Sequence, residues 1–138
     1  MIGSIVGRHL TRRAFSLLSQ RKVDEFLAAW AKDAVFIYPG QTRVSGTHRG
    51  KDAIQKFFRQ MLAQFPEFQF EVHHIAVDRI MDVTGTNCTA SEWTLRGKNI
   101  HGERFENTGV TVARLRLGKA LVVKDYIFDL ELARKVWE

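Results

Sequence analysis

The stretch Phe68-Gln69-Phe70-Glu71-Val72-His73 decides the fold class: apolar and polar side chains alternate with a period of two, as in a strand with one face buried. It opens the first of four extended segments, roughly 68–78, 86–98, 102–116 and 120–129. Turn material at Asp82 to Gly85, at Gly97 to Gly102 and at Leu117-Gly118-Lys119 separates them. Short turns between long neighbouring strands imply antiparallel hairpins, so the second half of the chain is expected to be a meander.

Upstream of this stretch the period is helical. Leu10, Phe15, Leu17, Leu18, Phe26, Leu27, Ala29 and Trp30 recur at spacings of three and four in two groups, predicting two helices broken at Ser19-Gln20-Arg21-Lys22. Asp24 and Glu25 suit the first turn of the second helix, which is expected to end near Lys32-Asp33. A short strand, Val35-Phe36-Ile37-Tyr38, runs into Pro39-Gly40, which marks a loop. Between Lys51 and Leu62 the apolar positions 54, 57, 58, 61 and 62 define one face of a clear amphipathic helix. The tail, Glu131 to Trp137, can add a helical turn or pack under the sheet. Helices followed by an antiparallel meander make an α+β fold in which the helices cover one face of a curved sheet. The space between them is expected to form a conical, hydrophobic pocket of the kind that takes small molecules.

Composition sets the outer limits. With 138 residues, 45% apolar and 26% charged, the chain is expected to form a single domain over residues 1–138, with a flexible N-terminus over 1–7. No apolar run approaches the ~18 residues of a membrane span, and the opening residues are too short and glycine-broken for a signal-peptide core, so a cytoplasmic location without membrane contact is expected. The lone Cys88 reads as a small hydrophobe. The net charge of +6 comes without zinc-finger spacing, an aromatic ribonucleoprotein motif or a phosphate loop, and no nucleic-acid partner is expected. His48 and His101 fall in expected loops without acids at metal-ligand spacing, and His73 and His74 are adjacent in a strand and so point to opposite faces, with one of them able to line the pocket. No metal or other cofactor is expected.

Several motifs are suggestive in their order and spacing. Asp24-Glu25-Phe26-Leu27 precedes Trp30-Ala31-Lys32-Asp33-Ala34-Val35, then come Tyr38-Pro39 and Gly46-Thr47-His48-Arg49-Gly50-Lys51-Asp52-Ala53-Ile54 leading to Phe57-Phe58. Later, Glu92-Trp93-Thr94, Gly102, Gly118-Lys119 and Asp125-Tyr126-Ile127-Phe128-Asp129 follow in turn. From about Arg8 to Trp137 this resembles the SnoaL-like branch of the nuclear-transport-factor-two-like superfamily. The resemblance implies a cone-shaped, cystatin-like α+β barrel and, commonly, a homodimer. The superfamily hosts isomerases, cyclases, epoxide hydrolases, dehydratases and binding proteins, so the likeness narrows the fold more than the chemistry.

Against ketosteroid isomerase the chain departs at both chemical positions: Tyr38-Pro39 stands where that family keeps its general base, and Ala14 or Phe15 where it keeps the oxyanion Tyr. Against limonene epoxide hydrolase, Asp125 matches the water-activating base, whereas Ser91-Glu92-Trp93-Thr94 replaces the Arg-x-Asp pair, and Phe36 and Tyr38 replace a Tyr and an Asn. Against the polyketide cyclases, Asp125 again matches the acid-base Asp, with Asn107 as the nearest polar residue to the missing His.

The candidate catalytic residues are therefore Asp125, Glu92 and Tyr38. Asp125 sits among Leu121, Val122, Val123, Tyr126 and Ile127, where a carboxylate either faces water or is buried with a partner, and alternation leaves both open. Facing inward, it would have a raised pKa and serve as a base near neutrality. Glu92 is a possible second carboxylate, and the Tyr38 hydroxyl a donor to a ligand oxygen; each has the plain alternative of a solvated or packed residue. Trp30, Phe36, Phe57, Met61, His74, Trp93 and Asn107 are the expected pocket wall. The resulting expectation is a binder of a small apolar molecule, with cofactor-independent acid-base isomerase, cyclase or epoxide-hydrolase chemistry, or alternatively a non-catalytic binding or dimerisation module. The outer face of the sheet is expected to stay apolar at some of Trp93, Leu95, Val110, Val112 and Leu115, and to be covered by a second copy.

Overall fold

The helical period at the N-terminus forms α1 (Ile2–Ser19), which begins inside the stretch expected to be flexible. The computed structural model describes residues 2–79, 81 and 84–138, with side chains from Ile5 onward; Asp82 and Val83 of the expected turn lie outside the described residues. α1 stops where the sequence breaks. Arg21 takes a left-handed φ of 64°, and the amides of Arg21 and Lys22 bond back to the carbonyls of Leu18 and Leu17, the double closure of a Schellman motif. The Arg21 guanidinium then reaches the Leu62 and Phe65 carbonyls at 2.6 and 2.8 Å, where the next long helix ends.

The second helix, α2 (Val23–Leu27), is shorter than expected. Instead of continuing to Lys32-Asp33, the chain turns at Ala28-Ala29 and enters β1 (Trp30–Tyr38). Strand pairing overrides helical periodicity here: Trp30 aligns with Ala120, and the Ala120 amide bonds to the Ala29 carbonyl at 2.9 Å. After the Pro39-Gly40 turn the chain returns along β1 as β2 (Gly46–Arg49), a strand hidden in sequence by its four-residue length. There follow α3 (Lys51–Gln64), β3 (Glu67–Val77), β4 (Thr86–Lys98), β5 (Arg104–Arg116), β6 (Lys119–Ile127) and α4 (Leu130–Val136).

The six strands form one unclosed sheet in the order β2-β1-β6-β5-β4-β3, antiparallel throughout except for the parallel pair β1–β6. The meander expected from the alternation is thus β3 to β6, and β1 joins it from the N-terminal half. Helices and concave face enclose an aromatic core in which Phe36 touches Phe57 at a ring separation of 4.8 Å and Phe26 touches Phe58 at 4.8 Å. α4 is tied across one end of the cone by buried polar groups. Gln64 donates to the Val136 carbonyl at 2.7 Å and accepts from Arg43 at 2.9 Å, while Arg43 also bonds the Trp137 carbonyl at 3.1 Å. No helix among the described residues is long and apolar enough to cross a membrane.

Candidate functional site

A cavity lies between the concave face of the sheet and α1, α3 and α4. Its wall is almost wholly apolar, and among the described lining residues Asp125 is the single carboxylate, with no Lys, Arg or His beside it. Trp30, Phe36, Phe57, Met61, Trp93 and Asn107 line it as expected, together with Tyr38. Ala14 and Phe15 of α1 line it as well, so this chain presents no phenol from that helix.

Two expected site residues are elsewhere. Glu92 and His74 pair across β4 and β3 on the outer face, with side chains 56% and 84% exposed and 3.9 Å apart. The parity of β4 explains Glu92: Ser91 and Trp93 point inward, which sends Glu92 outward. His74 is displaced by a β-bulge between Val72 and His74, which makes His73 the additional residue. Phe68 and Phe70 face inward before the bulge and Ile75 after it. Both histidines are therefore exposed, and the expectation that they take opposite faces does not hold.

The polar groups that do enter the cavity fall on one level. Ser91 of β4 pairs with Thr111 of β5, and Thr111 with Asp125 of β6. On the other flank Ile37 pairs with Lys124, and the next residue on each of these parallel strands is Tyr38 and Asp125. A belt Ser91–Thr111–Asp125–Tyr38 thus crosses four adjacent strands. The Trp93 indole N–H donates to Thr111 Oγ1 at 2.9 Å, and the Thr111 hydroxyl donates to Asp125 Oδ1 at 2.6 Å. The indole can only donate, which fixes the first bond, and the ionised carboxylate can only accept, which fixes the second. This arrangement holds one carboxylate oxygen and leaves the other to the cavity.

Electrostatics follow from the setting. Burial among apolar groups pushes the Asp125 carboxyl up from 3.8 to about 7, against the opposing effect of the Thr111 hydrogen bond. Burial also pushes the Tyr38 phenol well above its ordinary value; the Trp137 indole, bonded to Tyr38 Oη at 3.0 Å, works against this, and the charge of Asp125 adds to it. Tyr38 therefore stays protonated, accepts from Trp137 and keeps its own hydrogen to give. Asn107 lines the cavity but its amide is committed to the chain: Nδ2 donates to the Asp129 carbonyl at 2.9 Å and Oδ1 accepts from the Asp129 and Thr108 amides. It fixes the corner between β6 and α4.

The conserved-domain model described as a SnoaL-like domain matches residues 11–123, most of the chain. The chain belongs to the SnoaL-like domain family. The matched span of this SnoaL-like chain contains Tyr38, Trp93 and Thr111 and stops two residues before Asp125, so the place of Asp125 rests on the geometry just described. Solved structures carry the same fold. An NTF2-like protein from Burkholderia pseudomallei has 19% identity and a TM-score of 0.76, with 96% of this chain and 98% of that one covered. A Bacillus subtilis protein with a provisional isomerase designation has 18% identity and a TM-score of 0.79, with 100% and 98% covered. TerC, co-crystallized with polyporic acid, has 12% identity and a TM-score of 0.77, with 96% and 99% covered. No curated protein matches the sequence significantly.

Sequence reasoning missed Thr111 and the donor role of Trp93. The signal was present in part, since Trp93 and Thr111 are both in strands, but their meeting depends on Gly109. A side chain there would strike the indole, which instead lies across β5 and reaches Thr111.

Proposed function

We propose that this SnoaL-like protein binds a small, largely apolar molecule bearing a carbonyl group in its cone and carries out cofactor-independent proton transfer on it, in the manner of an isomerase or cyclase. The observation that carries the reading is the lone carboxylate Asp125, oriented by Thr111 and placed beside the protonated Tyr38 in an apolar cavity. A base of this kind removes a proton from the carbon next to the carbonyl, and the Tyr38 hydroxyl donates to the oxygen as it gains negative charge. Asp125, now neutral, returns the proton at another carbon of the conjugated system. The epoxide-hydrolase alternative fits less well, because no arginine is among the described residues lining the cavity to polarise an epoxide oxygen beside Asp125. The provisional isomerase designation of one structural neighbour and the organic acid bound by another agree with small-molecule chemistry in such a cone.

The test is a panel of steroids, terpenoid epoxides and polyketide fragments scored by thermal shift, followed by turnover assays on the binders. Asp125→Asn should lower any turnover by roughly two to four orders of magnitude while ligand binding persists. Turnover undiminished in Asp125→Asn would remove the carboxylate from the mechanism, and binding without turnover in the wild-type protein would make the cone a binding module.

A further inference from the structure

Among the described residues one fully buried side-chain polar atom has no hydrogen-bond partner, and it is the hydroxyl of Thr89. Thr89 is 1% exposed and lies on the cavity wall. It faces inward on β4, one step along the strand from the polar belt, in a row with Ala113 and Val123, which offer it nothing. Its methyl group turns towards Gly7 of α1, where an added Cβ would stand 3.5 Å from it. The chain around Thr89 is well paired, since β4 is hydrogen-bonded to β3 on one side and β5 on the other.

A buried hydroxyl without a partner costs more than a methyl group of the same size, so valine would serve this position better if packing were its whole role. We propose that Thr89 is a second polar subsite of the cavity, taking up a hydroxyl or carbonyl oxygen at the far end of a ligand whose near end meets Asp125 and Tyr38. The inference rests on the proposed ligand-binding role of the cavity and narrows it to molecules with two oxygen functions on an apolar frame. Thr89 and Asp125 are two strands and two residues apart, which places the two functions on the order of 10 Å from each other.

Two rigid probes test this, biphenyl-4,4'-diol and 4-hydroxybiphenyl, titrated calorimetrically into the full chain at pH 8. The wild-type protein should bind the diol about three- to tenfold more tightly than the mono-ol, the effect of one added hydrogen bond. Thr89→Val should erase that preference without changing affinity for the mono-ol, and Thr89→Ser should keep it. The Tm of the empty Thr89→Val protein should not fall, because no bond is lost. Equal affinities in the wild type, a preference that survives Thr89→Val, or a lowered Tm would overturn the subsite while leaving the cavity reading intact. Failure of both probes to bind at millimolar concentration would overturn both.

Discussion

The indole of Trp93 lies over the α-carbon of Gly109 so closely that a Cβ at Gly109 would stand 2.6 Å from two ring carbons and 2.6 Å from the Tyr126 carbonyl. The contact carries the bond from Trp93 to Thr111 and through it the orientation of Asp125. Gly109→Ala should therefore cost about 1–3 kcal/mol of stability through overpacking and should lower turnover by displacing the indole. Urea denaturation with parallel assays checks both effects. A variant of wild-type stability and activity would show that Trp93 does not need this approach.

Asp125 also ties stability to pH. Its carboxyl stands at about 7 in the folded protein against an ordinary 3.8, so between about pH 4 and pH 7 the folded chain holds a proton that the unfolded chain has released. Stability falls as pH rises through that window and levels off above it, a loss on the order of a few kcal/mol. Asp125→Asn lacks this titration and should gain on the wild type between pH 5 and pH 8. The difference in unfolding free energy between the two proteins, measured at both pH values, decides the matter; a constant difference contradicts the assignment. Any base-catalysed rate should rise with pH towards a plateau above about 7.

Tyr38→Phe removes the donor to the developing oxyanion and the acceptor for the Trp137 indole. A fall in kcat of about 10²- to 10³-fold is expected, as for loss of one preorganised donor, with KM changing much less. Loss of the acceptor adds about 1–3 kcal/mol of destabilisation. Steady-state kinetics beside thermal melts separate the two; an unchanged kcat would confine Tyr38 to a packing role.

The homodimer expected from the family resemblance has a revised surface. Trp93, Leu95 and Leu115 turn into the cavity, while Val110 and Val112 stay on the outer face, joined by Val122 and the half-exposed Tyr126. A dimer through this face should appear in sedimentation equilibrium at micromolar concentration and should dissociate in Val110→Asp. A monomeric wild-type protein would contradict it.

α3 was legible because a period of 3.6 persists across it, β3 from the alternation over residues 68–73, and the strands after it from the turn residues that bound them. The cavity face of Asp125 was not, for a definite reason. Between Arg114 and Leu115 on one side and Ala120 and Val122 on the other, the β5–β6 ladder shifts register, leaving Leu121 as an additional residue. Ala120 and Val123 both face the cavity although they are three apart, and a register counted from the Leu117-Gly118 turn misses Thr111 as the partner of Asp125. The bulge at His73 misled the reading of His74 in the same way. Tyr38 lines the cavity, whereas Trp93 was foreseen as wall but not as donor, because the reach of its indole to Thr111 depends on the bare α-carbon of Gly109 on the paired strand, which no periodicity marks.

The parallel seam between β1 and β6 bears on how this protein is made as well as on what it does. Val35 and Val122 meet although they are 87 positions apart in sequence, so closing this seam carries a large loop-closure cost that the neighbouring hairpins do not share. The hairpins can zip locally, but Tyr38 and Asp125 come side by side only when the two halves of the chain join. Competence for chemistry should thus emerge late in refolding, after most of the sheet signal has returned, and should vanish early when the seam frays.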